Sequence, residues 1–537
     1  MENIFLATGG SAYDTSLDPI SDDTFGVRYV TYRNIFRFLE QIEELDVGLI
    51  VWPGGSLADM MLVAIDKGAG LSIVLPTVRY VGREDELRAD VQDFMQDLLG
   101  GYFGVLPDQM ILEIGNEYYA TFTDPSDQGA AADYAQLADI IVTEIALALA
   151  DPSVNTTGSD VAIAIQSGKT FADDEDIRTG LSEFSIFNVE MIVQHRFPGD
   201  AEQVDYRMIE LDQIIDAWQA ASFAVESEAP ELFVSGWNVA HVTRESVLED
   251  FLQEQALIEN GLQESDVDLV GRSTTEFEQF WQDTLDGYAY GAEHPGVLLE
   301  LYSSYTEAGM TAAGIYGVDT MHPGRLSWYG EDGESYTFVG GEMLKMIFES
   351  VSDTYLLPSG VDYSSDNLVT PYIFENDDKL VIFLAAGQNG AGEYTLDIEG
   401  LGDVYGSVWG ESLGAAITPG WMETFGIVDN PLIDESPEAA TYAAPVREAI
   451  SPELTDDGLV VSISQPYEVI RLAFAKTAAG AEEIAGWSLA PEIQPLEFDI
   501  PVVQVDPFPD TEEEPDEVID DGSFDMSWVL LLFLLFI

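Results

Sequence analysis

Cysteine is absent from the 537 residues, which excludes disulfides, thiolate nucleophiles and Cys-ligated zinc or iron–sulfur sites. Histidine occurs only four times, too sparsely for a His-rich metal site. Positive charge is scarce as well: 19 Lys and Arg, only five of them Lys, stand against 99 Asp and Glu, a formal charge of −80. Such a surface repels phosphate, so counterion release cannot reward nucleic acid or an anionic membrane as a partner; neutral or cationic ligands suit it better. The N-terminus, MENIFLATGGSAYDTSLDP, lacks the basic start, apolar stretch and small-residue cleavage site of a Sec signal. At the other end SWVLLLFLLFI, residues 527 to 537, is apolar from Trp528 on but short of the roughly 20 apolar residues that span a bilayer. It reads as a C-terminal secretion or sorting signal, a truncated anchor or a segment that docks on a partner. The expectation is an extracellular or cell-surface protein exported without an N-terminal Sec signal, with no transmembrane helix.

What is present argues for folded domains. Acidity is spread along the chain, as on a surface adapted to salt or calcium-rich surroundings, and 27 Phe, 23 Tyr and 9 Trp are far more aromatics than disordered acidic chains carry. Short β-branched runs alternate with longer amphipathic stretches, the pattern of a parallel sheet with crossover helices. Eight runs can be counted: GVRYVT (26–31), VGLIVWPG (47–54), LSIVLPTV (71–78), QMILEIGNE (109–117), VAIAIQSG (161–168), VEMIVQHRF (189–197), ELFVSGWNV (231–239) and MTAAGIYGVD (310–319). Between them lie helical candidates such as DELRADVQDFMQDLL and YAQLADIIVTEIALALA. This predicts an α/β fold, a TIM (β/α)8 barrel over residues 25–353 behind an N-terminal extension, 1–24. A doubly wound sheet is the alternative, but it wants a Gly-rich phosphate turn after its first strand, and TYRNIF is no such turn.

From about residue 354 short alternating runs replace helix-length segments: LVTPYIFE, KLVIFLAA, EYTLDIE, VYGSVWG, GLVVSIS and YEVIRLAF, divided by turns such as ENDD and TDDG. They predict an antiparallel β-sandwich over 354–475, followed by an acidic, Pro-rich linker, 476–526, and the apolar tail.

Barrel chemistry sits where strands end. The fourth run ends in Gly115-Asn116-Glu117-Tyr118-Tyr119: a carboxyl able to protonate a glycosidic oxygen, an amide to bond a sugar hydroxyl, and aromatics to stack on a sugar face. A Glu paired with an Arg on a loop is the bland alternative for so short a pattern. GNEY at this place resembles the acid/base motif of the clan of (β/α)8 retaining glycoside hydrolases that includes β-xylosidases, α-L-arabinofuranosidases and heparanase-like β-glucuronidases. The second run, with Trp52, Pro53, Gly54, Gly55 and Asp59, is similar to a segment near the sugar site of those enzymes. His195, ending the sixth run, stands where such barrels often carry a substrate-contacting His, and a following sandwich is typical of them. The resemblance covers about residues 25–475 and implies a carbohydrate partner, a polysaccharide or glycoside, with Glu117 as general acid/base.

The same pattern calls for a nucleophilic Glu just before the Trp of the seventh strand. This chain reads Val234-Ser235-Gly236-Trp237-Asn238, and a glycine cannot form a covalent glycosyl intermediate. Three explanations stand: a glycan-binding or adhesion protein that has lost hydrolysis, a second carboxylate such as Asp319 acting with Glu117 as an inverting pair, or an approach by Glu231 or Glu245 from elsewhere.

The substrate-binding candidates are Asn116, Trp52, Arg79, Tyr118, His195, Trp237, Asn238 and Tyr316. Tyr80 and Trp328 are further stacking candidates, and several of these rings must be core. Arg79 can bind an acidic sugar or pair with Glu117. No cofactor is expected. Structural calcium has candidate ligands in Asp173-Asp174-Glu175-Asp176 and in ESDVDLVG (264–271), neither with the spacing of a calcium loop. Oligomeric state is open.

Overall fold

The computed structural model describes residues 2–6, 19–28, 42, 45–52, 56–122, 129–240, 242, 247–248, 250–253, 267, 275–285, 288–318, 326–329, 335–357, 363–364, 367–398, 408–416, 444–455 and 458–487. Asp319, Glu245, Pro53 to Gly55, most of the acidic run 264–271, the linker beyond 487 and the apolar tail lie outside them.

All eight predicted runs form strands: β1 (Gly26–Arg28), β2 (Leu49–Trp52), β3 (Gly70–Leu75), β4 (Met110–Ile114), β5 (Ala162–Gln166), β6 (Met191–Arg196), β7 (Glu231–Trp237) and β8 (Met310–Ile315). They pair in parallel in chain order and close through Val27 and Ile315, so the barrel, not the doubly wound sheet, is the fold. Closure demands a glycine on β1: a Cβ on Gly26 would lie 1.7 Å from the carbonyl oxygen of Ala313.

Successive side chains on a strand face opposite ways. Leu49, Val51, Val74, Ile111, Ala164, Met191, Val193, Phe233 and Ala312 fill the barrel interior, while their neighbours Ile50, Ile73, Leu112, Ile163, Ile192 and Leu232 pack outward in the large core shared with the helices. That two-sided burial is why the runs read as continuously apolar. The crossover helices include Glu84–Leu99, Ala130–Ala150, Glu202–Ala224 and His294–Glu307.

β7 breaks the alternation. His195 on β6 pairs with Gly236, yet Val193 pairs with Phe233, and the β7–β8 register slips between Val234 and Trp237. One extra residue is thus accommodated around Ser235 and Gly236, a β-bulge of the kind that re-aims side chains at barrel rims.

Behind the barrel a six-stranded sheet runs in the order Tyr355–Leu357, Val369–Glu375, Lys379–Ala386, Val469–Ala475, Val408–Ala416, Ala444–Ile450, all antiparallel. It faces a four-stranded sheet of Glu2–Leu6, Gly392–Ile398, Gly458–Ile463 and Glu453–Thr455, whose first strand comes from the N-terminus and pairs in parallel. Leu6, Ile382, Leu396, Val461 and Leu472 are among the residues between the two sheets. On the other face of the larger sheet, Phe374, Phe383 and Leu413 join the core of the barrel. A buried charge network crosses that junction: Arg471 lies 2.6 Å from both Glu411 and Glu349, and Arg447 lies 2.8 Å from Glu411 and 3.0 Å from Glu342.

Candidate functional site

Gly115 and Glu117 end the fourth strand in left-handed backbone, φ 77° and 43°. For a residue with a Cβ this costs about 1–2 kcal/mol, a strain that folded proteins tend to keep where it serves a site. The turn aims the Glu117 side chain at the rim, where it stays 27% exposed, and starts the single helical turn Tyr118–Thr121.

Glu117 Oε1 lies 3.0 Å from His195 Nδ1, and His195 Nε2 lies 2.8 Å from Ser235 Oγ and 3.6 Å from Glu113 Oε1. Glu113 is fully buried beneath the rim. It accepts hydrogen bonds from Ser235 Oγ at 3.0 Å, Gln166 Nε2 at 2.9 Å and Arg28 Nη1 at 3.5 Å. Arg28 also donates to Asn116 Oδ1 at 2.6 Å and to the Ser235 carbonyl at 2.8 Å. Five strands therefore meet in one polar layer over the apolar filling, with His195 between two carboxylates.

Burial works against every charge here, and the neighbours overcome it. Desolvation pushes the Glu113 carboxyl up, but the Arg28 charge and the His195 and Ser235 bonds bring it below its usual range. Glu117 behaves alike: burial raises it, while His195, Arg28 and a hydrogen bond from Tyr119 bring it lower. Burial would lower His195, but its bonds to Glu113 and Glu117 raise it. All three shifts run in the direction that favours the charged forms.

The Gly236 side of β7 faces this layer. The nearest atoms to a Cβ there would be those of the His195 ring, at 3.4 to 3.5 Å, which is ordinary contact, so a Cβ is tolerated at this position.

The structure thus brings together Glu117, Asn116 and His195, and it disperses most of the other candidates. Trp237 is fully buried, its ring 6.1 Å from Tyr302 and 6.3 Å from Tyr305: the bulge turns it outward into the helix layer, a correction to its expected place at the sugar. Trp52 and Tyr118 are buried too; Tyr118 stacks on Tyr134 and accepts the Lys169 N–H. Asn238 is consumed inside, donating to the Tyr316 carbonyl and accepting from His294. Arg79 turns away from Glu117 to Tyr80 and Asp90. Asp173 caps its helix, and Asp174 holds Arg178, the Trp218 indole and the Gly168 N–H, so this part of the run is spent on structure.

Tyr316 remains at the rim, half-buried and edge-on to Phe197, which is edge-on to His195. Tyr119 follows Glu117 by two residues, so these rings sit around the Glu117–His195 pair. Tyr119 is one of the aromatics the fourth run already offered, whereas Phe197, two residues beyond His195, is the ring that sequence reading missed. Arg28, Glu113, Gln166 and Ser235 carried no signal in the sequence: each is a lone polar residue in or at the end of an apolar run. A hollow of about 370 Å³ opens at the opposite rim, lined by residues such as Asp22, Asp46 and Gln109. It lies where the strands begin, away from the end that carries barrel chemistry.

No protein-family model and no curated protein sequence matches the chain. Solved structures do. A family 51 α-L-arabinofuranosidase from Bifidobacterium longum superposes with a TM-score of 0.56 at 12% identity, covering 87% of this chain and 98% of its own. The GH51 arabinofuranosidase from Xanthomonas axonopodis pv. citri gives 0.51 at 12%, covering 85% and 97%. A monomeric β-xylosidase from Caulobacter crescentus gives 0.51 at 11%, covering 89% and 100%. The chain therefore has the barrel-and-sandwich fold of these glycoside hydrolases. Among the described residues no helix is long and apolar enough to cross a membrane.

Proposed function

We propose that this protein binds a carbohydrate in the rim cleft around Glu117, with Glu117 acting as a charged hydrogen-bond acceptor for sugar hydroxyls instead of as a proton donor. The observation that carries the reading is the contact between Glu117 and His195 beside an empty Gly236. A general acid at neutral pH needs a raised pKa, commonly supplied by the negative charge of its partner carboxylate. Position 236 supplies no such carboxylate, His195 stands next to Glu117, and the Glu117 carboxyl is lowered. Tyr119, Phe197 and Tyr316 offer faces on which a sugar can lie. The acidic surface and the composition support a place outside the cell or on its surface; immunodetection in culture fluid and on intact cells tests that.

Hydrolysis is the second reading, favoured by the placement of Asn116-Glu117 at the end of β4 and by the exposure of Glu117. In that case Asp319 is the candidate base of an inverting pair. Aryl glycosides and a panel of polysaccharides, presented to wild type and to Glu117→Gln, separate the two. Binding without turnover, weakened at least tenfold by the substitution, is the expected result. Turnover that Glu117→Gln abolishes would replace the binding reading with the hydrolytic one.

A further inference from the structure

His195 has two ring nitrogens, and its buried side decides which of them carries hydrogen. Ser235 Oγ lies 2.8 Å from His195 Nε2, 3.0 Å from Glu113 Oε1 and 3.1 Å from Arg28 Nη1. A hydroxyl has one hydrogen to give and two lone pairs to receive with. Guanidinium only donates, so Arg28 takes one lone pair, and an ionised Glu113 only accepts, so the hydroxyl hydrogen goes to it. The remaining lone pair faces Nε2, which must therefore be an N–H. Were Nε2 bare, the hydroxyl would have to turn to the ring and leave its oxygen against that of Glu113 at 3.0 Å. Glu113 Oε1, itself 3.6 Å from Nε2, favours the same form, and Gln166 Nε2 holds that oxygen from 2.9 Å. Glu113 and Ser235 are fully buried, so water does not relieve the constraint.

On the other side of the ring, Nδ1 meets Glu117 Oε1 at 3.0 Å. With the Nε2 hydrogen fixed, a hydrogen bond here requires one more proton, on the ring or on the carboxyl; without it two lone pairs oppose each other. Glu117 is 27% exposed, so a carboxylate that loses this contact turns to solvent. We propose that Glu113, acting through Ser235, is a positioning residue of the sugar site: it fixes His195 in the Nε2–H form, so that Glu117 is held at the rim only while one proton lies between it and the ring. Sugar binding then requires that proton and is lost as it goes to solvent. The inference rests on the glycan-binding reading and adds its control by pH. Among the described residues, the charged or titratable groups that face the pair are Glu113 from β4, Arg28 from β1 and Tyr119 just past Glu117. Ser235 and Gly236 from β7 and Phe197 after β6 also lie against the ring, and none of these titrates.

Imidazole NMR on the nitrogen-labelled full chain reads both nitrogens directly, and four histidines keep the spectrum simple. His294, buried and pushed down to about 3, stays neutral as an internal reference, and the His195 signals are those missing from His195→Gln. The expected result is an Nε2–H on both sides of the His195 transition, with Nδ1 alone titrating. A neutral ring with its hydrogen on Nδ1 overturns the proposal. Calorimetry with arabino- and xylo-oligosaccharides is expected to show an affinity that is constant just below that transition and falls about tenfold per pH unit above it; an affinity that ignores the transition overturns the control by pH. Glu113→Gln removes a charge that favours the proton, so the ring transition and the affinity profile should both move about one pH unit or more to the acid side. A folded Glu113→Gln whose profiles stay in place overturns the positioning role, because a structural role alone changes the melting temperature and not the titration. Binding of neither sugar at any pH overturns the glycan-binding reading, while the ring signals still decide the proton lock.

Discussion

A Cβ on Gly236 would rest 3.4 Å from Cγ of His195, and that ring is the one that touches Glu117. Gly236 and the ring that touches Glu117 are therefore direct neighbours. With glycine at 236, the carboxylates beside the His195 ring among the described residues are Glu113 and Glu117, and the ring is among the causes that lower the Glu117 carboxyl.

Gly236→Glu should restore a second carboxylate. The Cβ fits without displacing backbone, and Gly236 is not among the glycines held at positive φ. A like charge near Glu117 raises its pKa, and a retaining pair needs carboxyls about 5–5.5 Å apart. Aryl glycoside turnover is expected in Gly236→Glu alone, and in wild type only with azide filling the space. A folded variant that binds sugar but turns nothing over, with azide equally silent on wild type, would show that β7 is not the missing catalytic arm.

His195 makes stability depend on pH in both directions. Its raised pKa contributes stability that is complete below the unfolded value of 6.5 and is lost as pH rises through the folded value. Glu113 and Glu117, both lowered, contribute stability that is complete above 4.5 and is lost as pH falls through their folded values. The difference in melting temperature between wild type and His195→Gln should peak between pH 4.5 and 6.5 and shrink on either side. A difference flat from pH 4 to 9 would mean that the ring is neutral and the clamp uncharged.

Trp237→Phe tests the corrected place of that indole. Its Nε1 has no hydrogen-bond partner, so the substitution removes no bond and leaves a cavity term of about 1–2 kcal/mol. Denaturant melts should show that loss with unchanged sugar affinity. A fall in affinity beyond threefold would put Trp237 back at the ligand.

At the junction with the sandwich, Arg471→Ala leaves Glu411 and Glu349 with Arg447 as their shared counter-charge and should cost about 3 kcal/mol, the lower end for removal of one partner from a buried ion pair. Glu411→Gln should cost less, because burial already holds that carboxyl above its usual range despite the Arg471 and Arg447 charges. Paired urea melts rank the two; equal costs would mean that the charge of Glu411 is fully compensated in the fold.

The periodicity of the chain was enough to count eight strands and to see the change of texture near residue 354, because parallel strands need helix-length crossovers between them whereas antiparallel ones are joined by short turns. It missed Ala444–Ile450 and the N-terminal strand, whose partners are remote in sequence. Glu117 was legible because a polar residue at a strand end has few structural reasons to be there. Trp237 was misread because a bulge, invisible in sequence, reverses the face that a strand presents.

The amino-acid sequence by itself determined the order of strands, the carboxyl at the end of the fourth, and the missing one at Gly236, since these are matters of spacing and residue identity. Only the tertiary structure decided what surrounds that carboxyl. Arg28, Glu113, Gln166, His195 and Ser235 come from five strands up to 207 residues apart. Their meeting, and with it the charge of Glu117, depends on how a closed barrel staggers its strands, which no local pattern encodes.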